Sequence, residues 1–237
     1  MTNYFFIILF ASSLTALNAQ TTINPAKVTS GKLPSSIIYK GRLQEAWRWK
    51  DNLGTNFLVL SGTAIIAGEN SDERAQQLFG YHYITQDTGY RLLWKLADGV
   101  EGCPVDVTAE FITTATRITD LDNDGIAETT LMYKLACRGD VSPAGMKLIM
   151  HEDSLKYALR GTMWMDMPVL DPDSDPGIPL TEKNIDLESL PGYQGAQEDF
   201  EKTYGRYKTE KEFLHAPPVF LEFARRHWLR NAKESFN

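Results

Sequence analysis

Three aspartates at alternate positions, followed by a glycine and then a glutamate, form the clearest chemical pattern in the sequence. The carboxylates are Asp120, Asp122, Asp124 and Glu128, and Gly125 follows the third aspartate. Calcium takes about six to eight oxygen ligands, and a short loop can supply several when carboxylates recur at every second residue and a glycine permits a sharp bend. The spacing therefore predicts a loop that binds a divalent cation. Calcium is preferred over magnesium because all the candidate ligands are oxygen and the loop is flexible.

The rest of the expected ligand set follows from loop position. Ile126 is expected to contribute its backbone carbonyl, and Glu128 to contribute directly or through water. Leu131 occupies the position where a helix-loop-helix calcium site carries a bidentate glutamate. Because the flanking residues are strand-like, the loop resembles the D-x-D-x-D-G-x-x-E calcium loops between strands of integrin-type and related extracellular β repeats. The alternative is an acidic turn without a cation, since Asp, Asn and Gly are ordinary turn residues.

The N-terminus has the composition of an export signal. The segment from Tyr4 to Leu17 is apolar and carries no charged side chain. A spanning helix needs about 20 apolar residues, so this shorter run predicts a signal peptide over residues 1–19, ending at Ala19. An uncleaved N-terminal anchor is the alternative. We expect a periplasmic or secreted protein of the Gram-negative type, without a transmembrane segment once the signal is removed.

Charge and cysteine content narrow the classes of protein further. The formal net charge of −7 disfavours binding to nucleic acid, because phosphates would be repelled. The two cysteines, Cys103 and Cys137, predict a disulfide in an exported chain, with two free buried thiols as the alternative. We expect the cysteines to face each other on antiparallel strands, with an irregular segment around Thr113 to Thr116 leading into the aspartate loop. In that register two further pairs would face each other, Val107 with Tyr133 and Ala109 with Leu131.

Short strand-like segments predict a mainly β fold. Residues 105–111 alternate between apolar and polar side chains, which is typical of a strand with one wet face. Short connections between such segments favour an antiparallel sheet, folded as a sandwich or an open barrel, over residues 33–165. A flexible lead is expected over residues 20–32. Residues 166–200 are rich in Pro and Asp and predict an extended linker or a strap across the domain.

The C-terminal segment, residues 201–237, is expected to be helical. Two prolines precede an amphipathic pattern, which suits the start of a helix. The apolar stripe consists of Phe220, Phe223, Ala224, His227 and Trp228. We expect this amphipathic helix to dock on its own domain, with binding to a membrane surface as the alternative.

Other motifs carry weaker functional signals. Trp47 and Trp49 share one face of a strand and could form a platform that stacks on sugar rings, although aromatic residues at this spacing are more often core. The RGD tripeptide at residues 138–140 is interpreted as a constrained turn. The sequence contains no HExxH, GxSxG, Walker or dinucleotide motif, so it identifies no catalytic residue.

Three longer segments carry a family resemblance. They are WRWKDNLGTNFLVL, TDLDNDGIAETTLMYKLACRGDVSPAGMKLIMHEDSLKYALRG and FLHAPPVFLEFARRHW. These segments resemble small exported bacterial proteins described as surface polysaccharide biosynthesis proteins. The resemblance implies a cell-envelope setting and a role in O-antigen or lipopolysaccharide production, and it supplies no catalytic residues.

The leading hypothesis is therefore a non-enzymatic exported envelope protein with a calcium-binding β-hairpin loop. A cell-surface glycan or an envelope protein is the expected partner. The alternative is a glycan-binding module, or an enzyme that acts on a glycan through a carboxylate pair.

Overall fold

The computed structural model describes residues 23–68, 70, 72–165, 173, 179–195 and 200–234. Within these residues the chain forms two antiparallel sheets. The first sheet contains β1 (Ala26–Lys27), β2 (Arg42–Asp51), β3 (Gly54–Gly62), β4 (Ile66–Ala67), β5 (Arg74–Gln86) and β6 (Gly89–Cys103). The second contains β7 (Asp106–Phe111), β8 (Arg117–Thr119), β9 (Glu128–Arg138), β10 (Gly145–Glu152) and β11 (Leu155–Thr162). The mainly β prediction is confirmed, and the fold is sandwich-like rather than a closed barrel.

The inner faces of the two sheets pack against each other through large apolar side chains. Leu58, Leu60 and Leu78 of the first sheet join Leu131 and Ile149 of the second in one buried cluster. Each of these side chains is at most 1% exposed. Burying a Leu or Ile side chain contributes roughly 1.5 to 3 kcal/mol, so this interface is a main source of stability.

The outer face of each sheet is also covered. On the first sheet, Phe57 and Val59 pack with Ile37 of the N-terminal segment. On the second sheet, Met132 and Leu148 belong to a cluster that includes the C-terminal helix α1 (Pro218–Asn231). The order of layers is therefore N-terminal segment, first sheet, second sheet and helix, and both sheets are apolar on two faces.

Helix α1 matches the amphipathic pattern predicted from the sequence. Pro218 lies in its first turn, where a missing backbone N–H costs nothing. Phe220, Ala224 and Trp228 are 0% exposed, and the indole of Trp228 donates to the carbonyl of Gly205. The apolar stripe thus docks on the chain's own second sheet. Among the described residues, no helix combines the length and apolar character needed to cross a membrane.

The disulfide prediction is confirmed, but the predicted register is wrong. Cys103 and Cys137 are bonded, with a Cα–Cα distance of 5.6 Å. However, Val107 rather than Cys103 faces Cys137 in the β7–β9 pairing. Cys103 ends β6 in the first sheet, so the disulfide ties the two sheets together instead of joining neighbouring strands.

The same strand pairing corrects the two other expected pairs. Ala109 faces Leu135, and Tyr133 faces Phe111. The irregular segment expected before the aspartate loop is present as a 3-10 turn, Thr113–Ala115, which is followed by the short strand β8.

The RGD tripeptide is constrained, as expected. The guanidinium of Arg138 pairs with the carboxylate of Glu234 at 2.5 Å, and Glu234 also accepts the N–H of Ala144 at 3.0 Å. Asp140 accepts the N–H of Ser142 within the turn. Because Arg138 is held by the C-terminal tail, it is not presented for recognition.

Two predicted segments fall wholly or partly outside the described residues. The signal peptide (residues 1–19) lies entirely outside them. Of the predicted linker (residues 166–200), the part at 179–195 packs on the domain, because Ile185 and Leu187 are buried. Backbone hydrogen bonds join both of these residues to Tyr207.

Candidate metal centre

The aspartate loop connects β8 to β9 and is closed by their pairing. Thr119 faces Glu128 across this hairpin. The tight turn requires left-handed backbone at two positions, Asn123 with φ of 64° and Gly125 with φ of 84°. Both residue types tolerate this conformation, which explains why the loop sequence can bend inside so few residues.

The loop brings its carboxylates together in two overlapping groups. One oxygen from each of Asp120, Asp122 and Asp124 lies within 4.8 Å of the others. Oxygens of Asp122, Glu128 and Glu152 form a second group under the same limit. Asp122 belongs to both groups, so the four predicted carboxylates form one acidic cluster that also includes a residue from another hairpin.

Glu152 is the site residue that the sequence analysis missed. It ends β10, directly opposite Glu128 in the β9–β10 pairing. Like charges directly opposite each other destabilise a sheet, so this pairing demands compensation. The only signal in the sequence was its place at the end of a strand, and the strand register was needed to bring it to the loop.

Within the loop, aspartate side chains hold the backbone turn. Asp124 Oδ1 accepts the N–H of Ile126 at 2.7 Å, and Asp122 Oδ1 accepts the N–H of Asp124 at 3.3 Å. Ile126 is half-buried, and its expected role as a backbone carbonyl ligand stays a prediction. These bonds use one oxygen of each aspartate.

Two carboxylate oxygens of the cluster are buried and accept no hydrogen bond from any described residue. They are Asp120 Oδ1 and Glu152 Oε1. By contrast, the fully buried carboxylate of Glu128 accepts hydrogen bonds from the Thr119 hydroxyl at 2.9 Å and the Leu121 N–H at 3.0 Å. A buried charged oxygen without a donor costs free energy, and a bound proton or cation would lower that cost.

The pKa values of these carboxyls are raised, mainly by burial and further by neighbouring negative charge. Burial raises the pKa of Glu128 to about 8, against the opposing hydrogen bonds from Thr119 and Leu121. Burial, and then the charge of Asp122, raises the pKa of Glu152 to about 7. The pKa of Asp122 is also raised, first by burial and further by the neighbouring aspartates. Without a cation, protons would therefore bind this cluster near neutral pH.

The first sheet also contacts the aspartate loop, through hydrogen bonds from the turn between β2 and β3. The turn between β2 and β3 contains Asn52, whose backbone N–H donates to the Gly125 carbonyl at 2.9 Å and whose side-chain amide donates to the Asp124 carbonyl at 3.0 Å. The preceding Asp51 accepts the N–H of Ala127 at 3.2 Å. The loop of the second sheet is thus bonded to a turn of the first.

Two of the four histidines in the sequence meet in the core between the sheets. The rings of His82 and His151 lie 5.5 Å and 4.1 Å from the ring of Trp94. Burial lowers the pKa of both histidines to about 3, so both are neutral at pH 7. His82 Nε2 lies 2.8 Å from the side-chain amide oxygen of Asn56, which can only accept, so Nε2 carries the proton of the neutral ring.

The tryptophan platform predicted for a glycan does not fit the structure. Trp49 is 2% exposed and its indole donates to Asp51, so it cannot stack on a sugar while the sheets are packed. Trp47 is half-buried, with the ammonium group of Lys27 5.1 Å above its ring. The alternative reading, that aromatic residues at this spacing belong to the core, accounts for Trp49.

Comparison of the chain with protein-family models, curated proteins and solved structures gave no match.

Proposed function

We propose that the aspartate loop, completed by Glu152, binds a calcium ion that stabilises a non-enzymatic exported protein of the cell envelope. The observation that carries this proposal is the convergence of five carboxylates, among which Glu128 and Glu152 stand face to face across β9 and β10. A divalent cation would neutralise this repulsion and would satisfy the buried oxygens of Asp120 and Glu152.

The ligand chemistry supports calcium. Every side chain of the two groups offers carboxylate oxygen, and neither group contains His or Cys, which zinc and copper prefer. Calcium also tolerates irregular ligand arrangements, whereas magnesium demands near-octahedral geometry. Glu152 supplies a carboxylate in place of the one that the twelfth loop position, Leu131, lacks.

Burial favours binding over catalysis at this cluster. A glycan-hydrolysing carboxylate pair must contact the substrate. Glu128 is 0% exposed, and its carboxylate already accepts hydrogen bonds from Thr119 and Leu121. A buried carboxylate in this environment is better placed to bind a structural ion than to contact a sugar substrate.

The envelope setting is supported by the disulfide and by the sequence resemblance. Disulfides persist in oxidising compartments, and the bond between Cys103 and Cys137 joins the two sheets. The resemblance to surface polysaccharide biosynthesis proteins points to the same compartment. In this proposal the calcium-stabilised sandwich acts in surface polysaccharide production by binding a cell-surface glycan or an envelope protein.

Calcium binding can be tested by thermal unfolding and calorimetric titration of the chelator-treated protein. At a calcium concentration of about 100 times Kd, binding stabilises the fold by about 2.7 kcal/mol. This predicts a rise in Tm of about 5 to 10 °C for a chain of this size. The variant Asp122→Asn/Asp124→Asn should lose the rise.

Matched measurements make this test specific. Asp87→Asn changes one exposed carboxylate in the β5–β6 turn and should keep the full calcium response. Magnesium should give a smaller shift than calcium. An unchanged Tm in calcium, or a shift that survives in the double variant, would remove the loop as the binding site. A parallel titration with cell-surface oligosaccharides tests the glycan alternative, which predicts a shift that does not require calcium.

A further inference from the structure

The turn between β2 and β3 contacts the aspartate loop at three backbone groups, which belong to Asp124, Gly125 and Ala127. Asn52 contributes two of these contacts, donating from its backbone N–H to the Gly125 carbonyl and from its side-chain amide to the Asp124 carbonyl. Asp51 adds a third through the N–H of Ala127. Asp124 is a candidate ligand. By binding the backbone carbonyl of Asp124, the first sheet fixes the backbone from which the Asp124 carboxylate projects.

The turn itself is held rigidly. Asp51 is 6% exposed, and its carboxylate accepts the indole N–H of Trp49 at 2.9 Å, the Leu53 N–H at 2.9 Å and the Asn56 amide at 2.8 Å. A buried carboxylate with this many donors is a stable hydrogen-bonding centre. The backbone next to Asn52 is therefore held in place by these hydrogen bonds, although the side chain of Asn52 is exposed.

The contact between Asn52 and the aspartate loop is so close that it favours glycine at position 125. A Cβ atom added at Gly125 would lie 2.2 Å from the side-chain nitrogen of Asn52. The φ of 84° at Gly125 also disfavours any residue with a side chain. The loop and the turn thus fit together at one backbone position.

We propose that Asn52 is a positioning residue for the cation loop, and that cation binding in turn tightens the contact between the two sheets. This inference rests on the proposed calcium site. Asn52 holds the Asp124 and Gly125 peptides in place before the ion arrives, so less ordering is required on binding. Linkage is reciprocal, so a contact that raises cation affinity is itself stabilised when the cation binds.

The first test is the calcium affinity of Asn52→Ala, measured by calorimetry on the full chain well below its Tm. Loss of one hydrogen bond should weaken binding by about two- to tenfold. Asn70→Ala is the matched control, because Asn70 is also an exposed turn residue whose side-chain amide donates one hydrogen bond, in its case to Glu73. The control should bind calcium as the unmodified protein does.

The second test uses the unmodified protein and needs no variant to fold. Calcium should slow hydrogen exchange at the Asn52 amide, which donates to Gly125. The amide of Thr63 donates to the Gln77 carbonyl at 2.9 Å within the first sheet and serves as the reference. Protection at Asn52 should increase more than at Thr63.

The outcomes separate this inference from the proposed site. If the unmodified protein binds no calcium, the site itself is refuted and the inference falls with it. If the unmodified protein binds calcium but Asn52→Ala binds equally well, or if exchange at Asn52 does not respond to calcium, only the positioning role is refuted.

Discussion

Replacing Glu152 with glutamine should stabilise the metal-free protein at alkaline pH. The substitution keeps the size of the side chain and removes the charge that faces Glu128. Both carboxyls have pKa values above the ordinary 4.5, at about 8 for Glu128 and about 7 for Glu152. Their contribution to stability is therefore fully present below pH 4.5 and is lost as the pH rises through 7 and 8. The Glu152→Gln variant escapes the part of that loss that belongs to Glu152, whereas burial keeps the pKa of Glu128 raised.

The size of the effect follows from the distance between the charges. Carboxylate oxygens of Glu128 and Glu152 lie within 4.8 Å of each other. At an effective dielectric constant of about 20, two unit charges at that distance repel by roughly 3.5 kcal/mol. Glu152 is partly exposed, and salt and water screen its charge, so about 1 to 2 kcal/mol should remain. For a chain of this length this corresponds to a Tm about 3 to 6 °C higher than that of the unmodified protein.

The assay is thermal unfolding in chelator at pH 5 and pH 8.5, followed by the same measurement in calcium. The gain should be small at pH 5 and largest at pH 8.5, whereas in calcium the unmodified protein should gain more stability than the variant. Glu110→Gln is the matched control, because Glu110 faces Lys134 across the sheet and its charge is favourable. If Glu152→Gln is no more stable than the unmodified protein at pH 8.5 in chelator, the argument from charge repulsion is wrong.

Three further predictions follow from separate contacts. Gly125→Ala should cost about 1 to 3 kcal/mol and weaken calcium binding, because the φ of Gly125 is positive and Asn52 blocks the Cβ. Gly31→Ala should cost less in the same urea titrations, because a Cβ at Gly31 meets no atom within 4 Å and its φ is not positive. Glu234→Gln leaves Arg138 without its carboxylate and should lower the free energy of unfolding by about 2 to 3 kcal/mol in urea. Reducing the disulfide, which spans 34 residues, should lower that free energy by about 3 to 4 kcal/mol, measured by urea titration with and without reductant.

The sequence was sufficient for the fold class and the disulfide but not for the strand register. Val107, Ala109 and Phe111 face the core as the period of two predicts. The predicted pairing of Val107 with Tyr133 and the observed pairing with Cys137 differ by an even number of residues. Such a shift keeps every side chain on the same face, so alternation alone cannot distinguish the two.

For the candidate site too, the sequence could not predict contacts that depend on strand register. The loop carboxylates could be identified because they are close in sequence, and the structure brings Asp120, Asp122 and Asp124 together. Glu152 could not, because it reaches the loop through the pairing of β10 with β9. The burial of Trp49 was likewise undecidable, since periodicity shows that two residues share a face but not whether that face meets water or another sheet.

The helix that covers the second sheet has a consequence for chemical ageing of the protein. Met132, Met146 and Met150 lie beneath this layer and are at most 1% exposed. Conversion of a thioether to a sulfoxide makes it polar, and a polar group here would oppose the return of the helix. While α1 is docked, these sulfur atoms are shielded from solvent. Oxidation during an episode of helix detachment would therefore hinder re-docking.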